Sequence, residues 1–451
     1  MRRFQPTIEG TWNGRLAIGS QSLQLLFHFK RTPEGQWTGA LDSPDQGAFG
    51  IAFSKVVLEG RSLSVRVDSI AGEFVGTLSE DGKQIVGEWR QGGNRFPLSL
   101  TVGEPPKPRR PQEPQPPFPY RTEEVRVMNR TARIELAGTL TLPEGKPPFP
   151  AVVFFTGSGA QNRDQEIFGH KPFLVLADHL TRNGFATLRM DDRGVGGSQG
   201  DPRTATTLDF VTDLLSGVNF LRNRREIDRR QIGVLGHSEG ALVATLAAAR
   251  APREVAFAVL MAPPGVPGEQ ILYRQAELIA RKSGVSDALI ESNRQLQKRV
   301  FEILKSEKDN AKAKQAVVEE LLKTLGGATP TDNQRATLES QAESYTLPWF
   351  RAFLQLDPVP HLRRVRCPVL VLIGSLDLQV DPDQNLPVIE KALGGNKRAT
   401  IRRLDGLNHL FQKARTGLIT EYAQIEETIN PTALNLITDW LKEVAGSKQG
   451  A

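Results

Sequence analysis

The segment QIGVLGHSEGALVATLAAAR, residues 231–250, puts a serine at the point where a strand turns into a helix. QIGVL is a short, continuous apolar run, the mark of a strand buried on both faces, and ALVATLAAAR reads as a helix. Between them lies Gly236-His237-Ser238-Glu239-Gly240. A G-x-S-x-G pentapeptide alone is a common accident, but at a strand-to-helix junction it is specific. The serine must sit on a turn tight enough to hold an unfavourable backbone angle, and the flanking glycines let neighbouring backbone approach without Cβ clashes. The helix N-terminus then offers free N–H groups to a developing oxyanion. Ser238 is therefore the expected nucleophile, and the N–H of Glu239 one expected oxyanion donor.

Outward from this junction the same rhythm continues. AVVFF, FATLRM, VAFAVLM and PVLVLIG are further buried-strand runs, separated by helix-length segments such as FLVLADHLTRNG and LDFVTDLLSGVNFLRN. Strand alternating with helix predicts a mostly parallel, doubly wound sheet, with RIELAGTLTLP adding a hairpin strand. The rhythm stops between about Pro267 and Leu347, where helical, charged sequence predicts a cap inserted between two core strands. Upstream, residues 7–102 carry short alternating runs (SLQLLFHF, SLSVRV, EFVGTL, QIVGEW) broken by glycine about every ten residues. They predict about eight antiparallel strands in a small barrel or sandwich. From Glu104 to Pro119, eight of sixteen residues are proline, a stiff spacer. The expected domains are thus 1–102, a linker at 103–120, and 121–451 with a cap at about 267–347.

A serine hydroxyl needs a base within reach. In enzymes with this elbow the acid and then the histidine follow the serine along the chain. Only His361 and His409 follow Ser238, and His361 precedes the strand PVLVLIG. His409 lies in the loop LDGLNHLF after the strand ATIRRL and is the expected base. Of Asp377, Asp381 and Asp383, the first stands just past a strand end, while the others resemble caps of the next helix around Pro382. Asp377 is the expected acid. The loop TGSGAQNRD, Thr156 to Asp164, is expected to supply the second oxyanion donor, the Ser158 N–H, with Gly159 as runner-up. DDRGVGGS, Asp191 to Ser198, lacks the lysine of a phosphate loop and reads as a structural turn in which Arg193 ties neighbouring carboxylates.

Composition removes several other classes. The chain has 451 residues, 57 basic and 51 acidic, a mild excess of +6. The cluster Arg222, Arg224, Arg225, Arg229 and Arg230 lacks interleaved aromatics and reads as a solvated face, so no nucleic-acid partner is expected. The single cysteine, Cys367, reads as a packing residue and excludes an internal disulfide. Neither a signal-length apolar stretch nor a span is visible. A cytoplasmic location is expected for the chain as written, periplasmic or secreted if the true start lies upstream.

TGSGAQNRD, RMDDRGVGGS, GHSEG, LIGSLDLQV, GLNHLFQKARTG and EYAQIEETINP, in this order, resemble the EstD-type carboxylesterases, α/β-hydrolases related to the serine aminopeptidases. The resemblance covers the chain from about Arg121 onward. It implies an α/β-hydrolase fold and hydrolysis of small carboxylic esters without metal or cofactor. It assigns nucleophile, acid and base to Ser238, Asp377 and His409. The N-terminal region resembles the lipocalin-like modules attached to some of these esterases. An aminopeptidase or amidase on the same triad is the alternative, and would need acids such as Glu269 or Glu277 to hold a free amine.

Overall fold

The computed structural model describes residues 7–18, 21–46, 48–105, 108–327 and 329–446. They fall into two compact units: Met1–Arg109, Thr324–Ser340 and Ile419–Gln424 in the first, and Arg110–Lys323, Gln341–Leu418 and Ile425–Ala451 in the second.

The first unit is built on nine strands: β1 (Gly10–Ile18), β2 (Gln21–Arg31), β3 (Trp37–Ser43), β4 (Ala48–Ala52), β5 (Lys55–Glu59), β6 (Ser62–Val67), β7 (Gly72–Leu78), β8 (Gln84–Gln91) and β9 (Asn94–Val102). They form one antiparallel sheet in the order β4-β3-β2-β1-β9-β8-β7-β6-β5, curled into a half-barrel with β4 and β5 as its edges. Period-two alternation makes the inside. Leu63, Val65 and Val67 of β6 are fully buried, and they pack with Trp12, Phe27, Phe74 and Trp89. Large aromatic rings from facing strands fill the curl, so its interior is a packed core.

The second unit carries β10 (Arg121–Asn129), β11 (Ile134–Leu142), β12 (Phe149–Phe155), β13 (Ala186–Met190), β14 (Ile227–His237), β15 (Ala258–Met261), β16 (Val369–Gly374) and β17 (Ala399–Leu404). Their order is β10-β11-β13-β12-β14-β15-β16-β17. The β10–β11 hairpin pairs antiparallel with β13, and the remaining ladders are parallel. The helices are α1 (Pro172–Arg182), α2 (Thr207–Arg222), α3 (Glu239–Arg250), α4 (Gly268–Lys282), α5 (Asp287–Ser306), α6 (Asn310–Leu322), α7 (Asp332–Tyr345, which belongs to the first unit as far as Ser340), α8 (Pro348–Gln355), α9 (Val359–Leu362), α10 (Pro382–Leu393) and α11 (Pro431–Gly446).

Each buried strand feeds two cores. Val152 and Phe154 pack on one face with residues of α1 and α11, whereas Val153 and Phe155 pack on the other with residues of α2 and α3. This two-sided burial is why the strands read as unbroken apolar runs. Helices α4 to α9 stand between β15 and β16, where the strand rhythm fails in the sequence. The end of the proline-rich stretch is strapped to this unit. Arg110 donates to the carbonyls of Gly169 and Ile425, and Gln112 bonds Thr428 and Ile429.

Candidate active site

Ser238 is the N-cap of α3, at φ +56° and ψ −120°. A side chain holds such a positive φ only when its surroundings impose it. Here the Ser238 N–H donates to the Met261 carbonyl at 2.8 Å, and its own carbonyl accepts from the Ala241 N–H at 3.0 Å. The two glycines of the pentapeptide are required by contact. A Cβ on Gly236 would stand 1.9 Å from the Gly240 oxygen, and one on Gly240 would stand 2.2 Å from the Phe155 oxygen. Strand, turn and helix can therefore close on one another only without side chains there.

Asp377 follows β16 and His409 follows β17, so both stand at the carboxyl edge of the parallel strands, as Ser238 does after β14. His409 Nδ1 is 2.7 Å from Asp377 Oδ2, and both side chains are buried. The N–H groups of Gln379 (2.9 Å) and Val380 (2.8 Å) donate to Asp377 Oδ1, which fixes the carboxylate. In the neutral ring Nδ1–H donates to Asp377, leaving the Nε2 lone pair for a hydroxyl. Among the described residues no hydrogen bond joins the Ser238 hydroxyl to the His409 ring. Catalytic contacts of this kind commonly tighten only when substrate binds. Asp381 and Asp383 are engaged elsewhere. Asp381 caps α10 and pairs with Arg274 at 2.6 Å, and Asp383 pairs with Arg403 at 2.5 Å. His361 lies in α9, ahead of β16.

Two features hold the His409 loop. Asn408 Oδ1 accepts the N–H groups of Leu410 and Gln412, each at 3.0 Å. His237, the residue before the serine, clamps the loop from the other side. Its Nε2 is 2.8 Å from the His409 carbonyl, and its Nδ1 is 2.8 Å from Gln165 Nε2. A carbonyl can only accept, so Nε2 carries the proton and Nδ1 accepts from the amide. Burial first, then the neighbouring His409, pushes the His237 pKa down to about 3, so this ring is neutral.

The loop after β12 comes up against the elbow: a Cβ on Gly157 would be 3.4 Å from the Ser238 Cβ. Ser158, next along, is exposed. Asp192 holds this loop, accepting from the Thr156 hydroxyl at 2.8 Å and the Gln161 N–H at 2.9 Å. Burial outweighs these bonds and raises the Asp192 carboxyl to about 7. Asp191 accepts from the Arg163 backbone and guanidinium, and Arg193 is bound to Asp213 on α2. The segment DDRG is thus a structural brace.

The side chain of Glu239 is absent from the sequence-level expectations, which use only its N–H. That N–H, first in α3, has no carbonyl one turn earlier to bond. The carboxylate is buried and collects donors from distant elements: the Thr207 hydroxyl (2.7 Å) and the Trp349 indole N–H (2.6 Å) on one oxygen, and the Ser158 hydroxyl. Burial raises its pKa above the usual carboxylate range against the pull of these three bonds. One carboxylate therefore joins the elbow, the loop after β12, α2 and α8 of the helical insertion.

A serine on a strained strand-to-helix turn, with an Asp–His pair delivered from the ends of the next strands but one and two, stands on a mixed eight-stranded sheet covered by helices on both faces. This is the α/β-hydrolase fold. Residues 171–320 match the family model Hydrolase_4, described as "Serine aminopeptidase, S33". The chain is 29% identical over 278 residues to Esterase EstD of Thermotoga maritima. That match covers 61% of this chain and 58% of EstD, so the chain spans somewhat over half the length of that relative. An uncharacterized 31.7 kDa protein of Escherichia coli is 24% identical over 272 residues, covering 58% of this chain and 84% of its own. Among solved structures, the Pyrococcus furiosus esterase Pf2001 aligns with a TM-score of 0.45 at 16% identity, over 76% of this chain and 99% of its own. The α/β hydrolase GrgF from Penicillium aligns with a TM-score of 0.46 at 17% identity, over 73% and 100%. Among the described residues, no helix is long and apolar enough to cross a membrane, and no three His, Cys, Asp or Glu side chains are grouped to hold a metal ion.

Proposed function

We propose that this α/β-hydrolase is a serine carboxylesterase acting on small esters through an acyl-enzyme. Ser238 Oγ attacks the ester carbonyl while His409 Nε2 takes its proton. The N–H groups of Ser158 and Glu239 hold the oxyanion. His409 then protonates the departing alcohol, and water, activated by the same ring, releases the acid. Asp377 fixes the ring's tautomer and stabilises the imidazolium. The observation that carries this reading is the buried 2.7 Å His409–Asp377 pair, standing at the same sheet edge as a serine held at φ +56°. The esterase named among the relatives supports the choice of ester.

In this proposal the parts of the helical insertion that belong to the second unit, residues 267–323 and 341–347 together with α8, roof the pocket and set acyl and alcohol preference. The half-barrel is read as a lipocalin-like module on its antiparallel meander. Aminopeptidase action, suggested by the description of the matching family, would need a free carboxylate for the amine. Glu269 is paired with Lys305 at 2.9 Å and Glu277 with Arg294 at 2.7 Å, which weighs against it. Purified protein should turn over short nitrophenyl esters and lose that activity, together with labelling by a fluorophosphonate, on Ser238→Ala. Undiminished turnover in that variant, or higher efficiency on aminoacyl amides, would refute the proposal.

A further inference from the structure

Arg222, Arg229, Arg230, Arg253, Arg366 and Arg398 line one cavity of about 480 Å³, with Glu254 as its acidic member. Arg222 ends α2, and the other five come from the starts of strands or the turns before them. Arg229 and Arg230 open β14, Arg253 lies between α3 and β15, Arg366 precedes β16 and Arg398 precedes β17. These four strands are parallel neighbours, so the cavity lies at their amino edge, opposite the edge that carries Ser238, Asp377 and His409.

The six guanidiniums differ from other arginines of the same unit. Arg163 pairs with Asp191, Arg193 with Asp213, and Arg224 with Glu123 and Glu226. Among the described residues none of the six has a carboxylate within ion-pair distance. Arg398 instead donates to the Arg366 carbonyl at 2.7 Å and Arg366 to the Arg363 carbonyl at 3.1 Å, which aims the side chains without neutralising them. Six positive groups against one negative leave a formal excess of five on one concavity. Such crowding of like charge is unfavourable until a counter-charge enters.

We propose that this cavity binds a small soluble anion bearing several phosphate groups. Planar guanidinium forks grip phosphate oxygens two at a time, and several forks on one cavity suit several phosphates better than one. None of the cavity's lining side chains is aromatic, so it offers no surface for stacking bases. A cavity rather than an extended basic stripe also fits a compact ligand.

Calorimetric titration of the full chain with inorganic tripolyphosphate at low ionic strength tests this. One saturable site is expected, weakening with added salt, with orthophosphate bound about tenfold or more weaker. The double variant Arg229→Ala/Arg398→Ala should weaken tripolyphosphate by about tenfold or more, with ester turnover unchanged and the urea midpoint not lowered, since like-charge crowding is relieved. Arg398→Lys, which keeps the charge but loses the fork, should weaken it measurably too. Absence of saturable binding, or equal affinity in the double variant, overturns the proposal. So does tighter binding of a single-stranded oligonucleotide or of anionic vesicles than of tripolyphosphate.

Discussion

Replacing Glu239 by alanine removes the acceptor shared by Thr207, Trp349 and Ser158. The three donors do not suffer equally. Ser158 is exposed, so its hydroxyl turns to water at little cost. Thr207 is fully buried, and the Trp349 indole N–H points in a fixed direction. A buried donor left without an acceptor costs about 1–3 kcal/mol. The buried Thr207 donor and the half-buried Trp349 donor, less the relief of no longer burying an ionisable carboxyl, give about 1–4 kcal/mol of lost stability. Glutamine keeps the accepting oxygen, so Glu239→Gln should stay within about 1 kcal/mol of the parent at neutral pH. The raised pKa fixes a further sign. Stability from the protonated carboxyl is complete at acid pH and is lost as pH rises through its folded value. Relative to the parent, the glutamine variant should therefore gain with rising pH. Urea unfolding at constant m-value reads these differences. Activity supplies the second readout. With Ser158 and α8 unhooked, kcat on a short ester should fall by about 10²-fold, the scale of one lost oxyanion donor, in the alanine variant alone. An alanine variant within 0.5 kcal/mol of the parent (well under the ~1 kcal/mol of one ordinary hydrogen bond) and with full kcat would refute the role of this carboxylate as a joint.

Asp377→Asn should lower kcat by about 10⁴-fold with the fold intact, because asparagine still accepts the Gln379 and Val380 N–H groups but no longer holds the Nδ1–H tautomer; a loss under tenfold in stopped-flow ester hydrolysis would contradict the assignment. His237, with its pKa pushed down to about 3, contributes stability that is complete above the ordinary histidine value and is lost as pH falls toward 3. At pH 5 the parent should have lost about 2 kcal/mol relative to its value at pH 8 through this ring, a slope that His237→Asn should abolish in urea melts. Asp192 has the opposite sign: raised to about 7, its contribution is complete below the ordinary carboxylate range and is lost as pH rises through 7. Asp192→Asn should therefore be flatter than the parent between pH 5 and pH 8, and an unchanged difference between the two curves would count against the raised value.

The groups that were legible in the sequence and those that were not differ in how far their partners lie along the chain. Ser238 is announced within five residues, because the glycines that its turn requires and the strand and helix around it are all local. Asp377 and His409 could be reached by counting strands, since a parallel sheet brings successive carboxyl ends to one edge whatever lies between them. The number of half-barrel strands is nine where turn spacing suggests about eight, since short edge strands such as β4 leave little periodic signal. The side-chain roles of His237 and Glu239 have no local signature. Their partners lie far off: His409 is 172 residues from the first, while Thr207 and Trp349 are 32 and 110 residues from the second. One clue was nevertheless present. A carboxylate opening the otherwise small and apolar helix ALVATLAAAR must be buried with it, and a buried carboxylate must find donors. Pattern thus reveals that Glu239 needs partners, and only the folded chain reveals which. The strained elbow can persist because these long-range bonds from His237 and Glu239 grip it on both sides of Ser238.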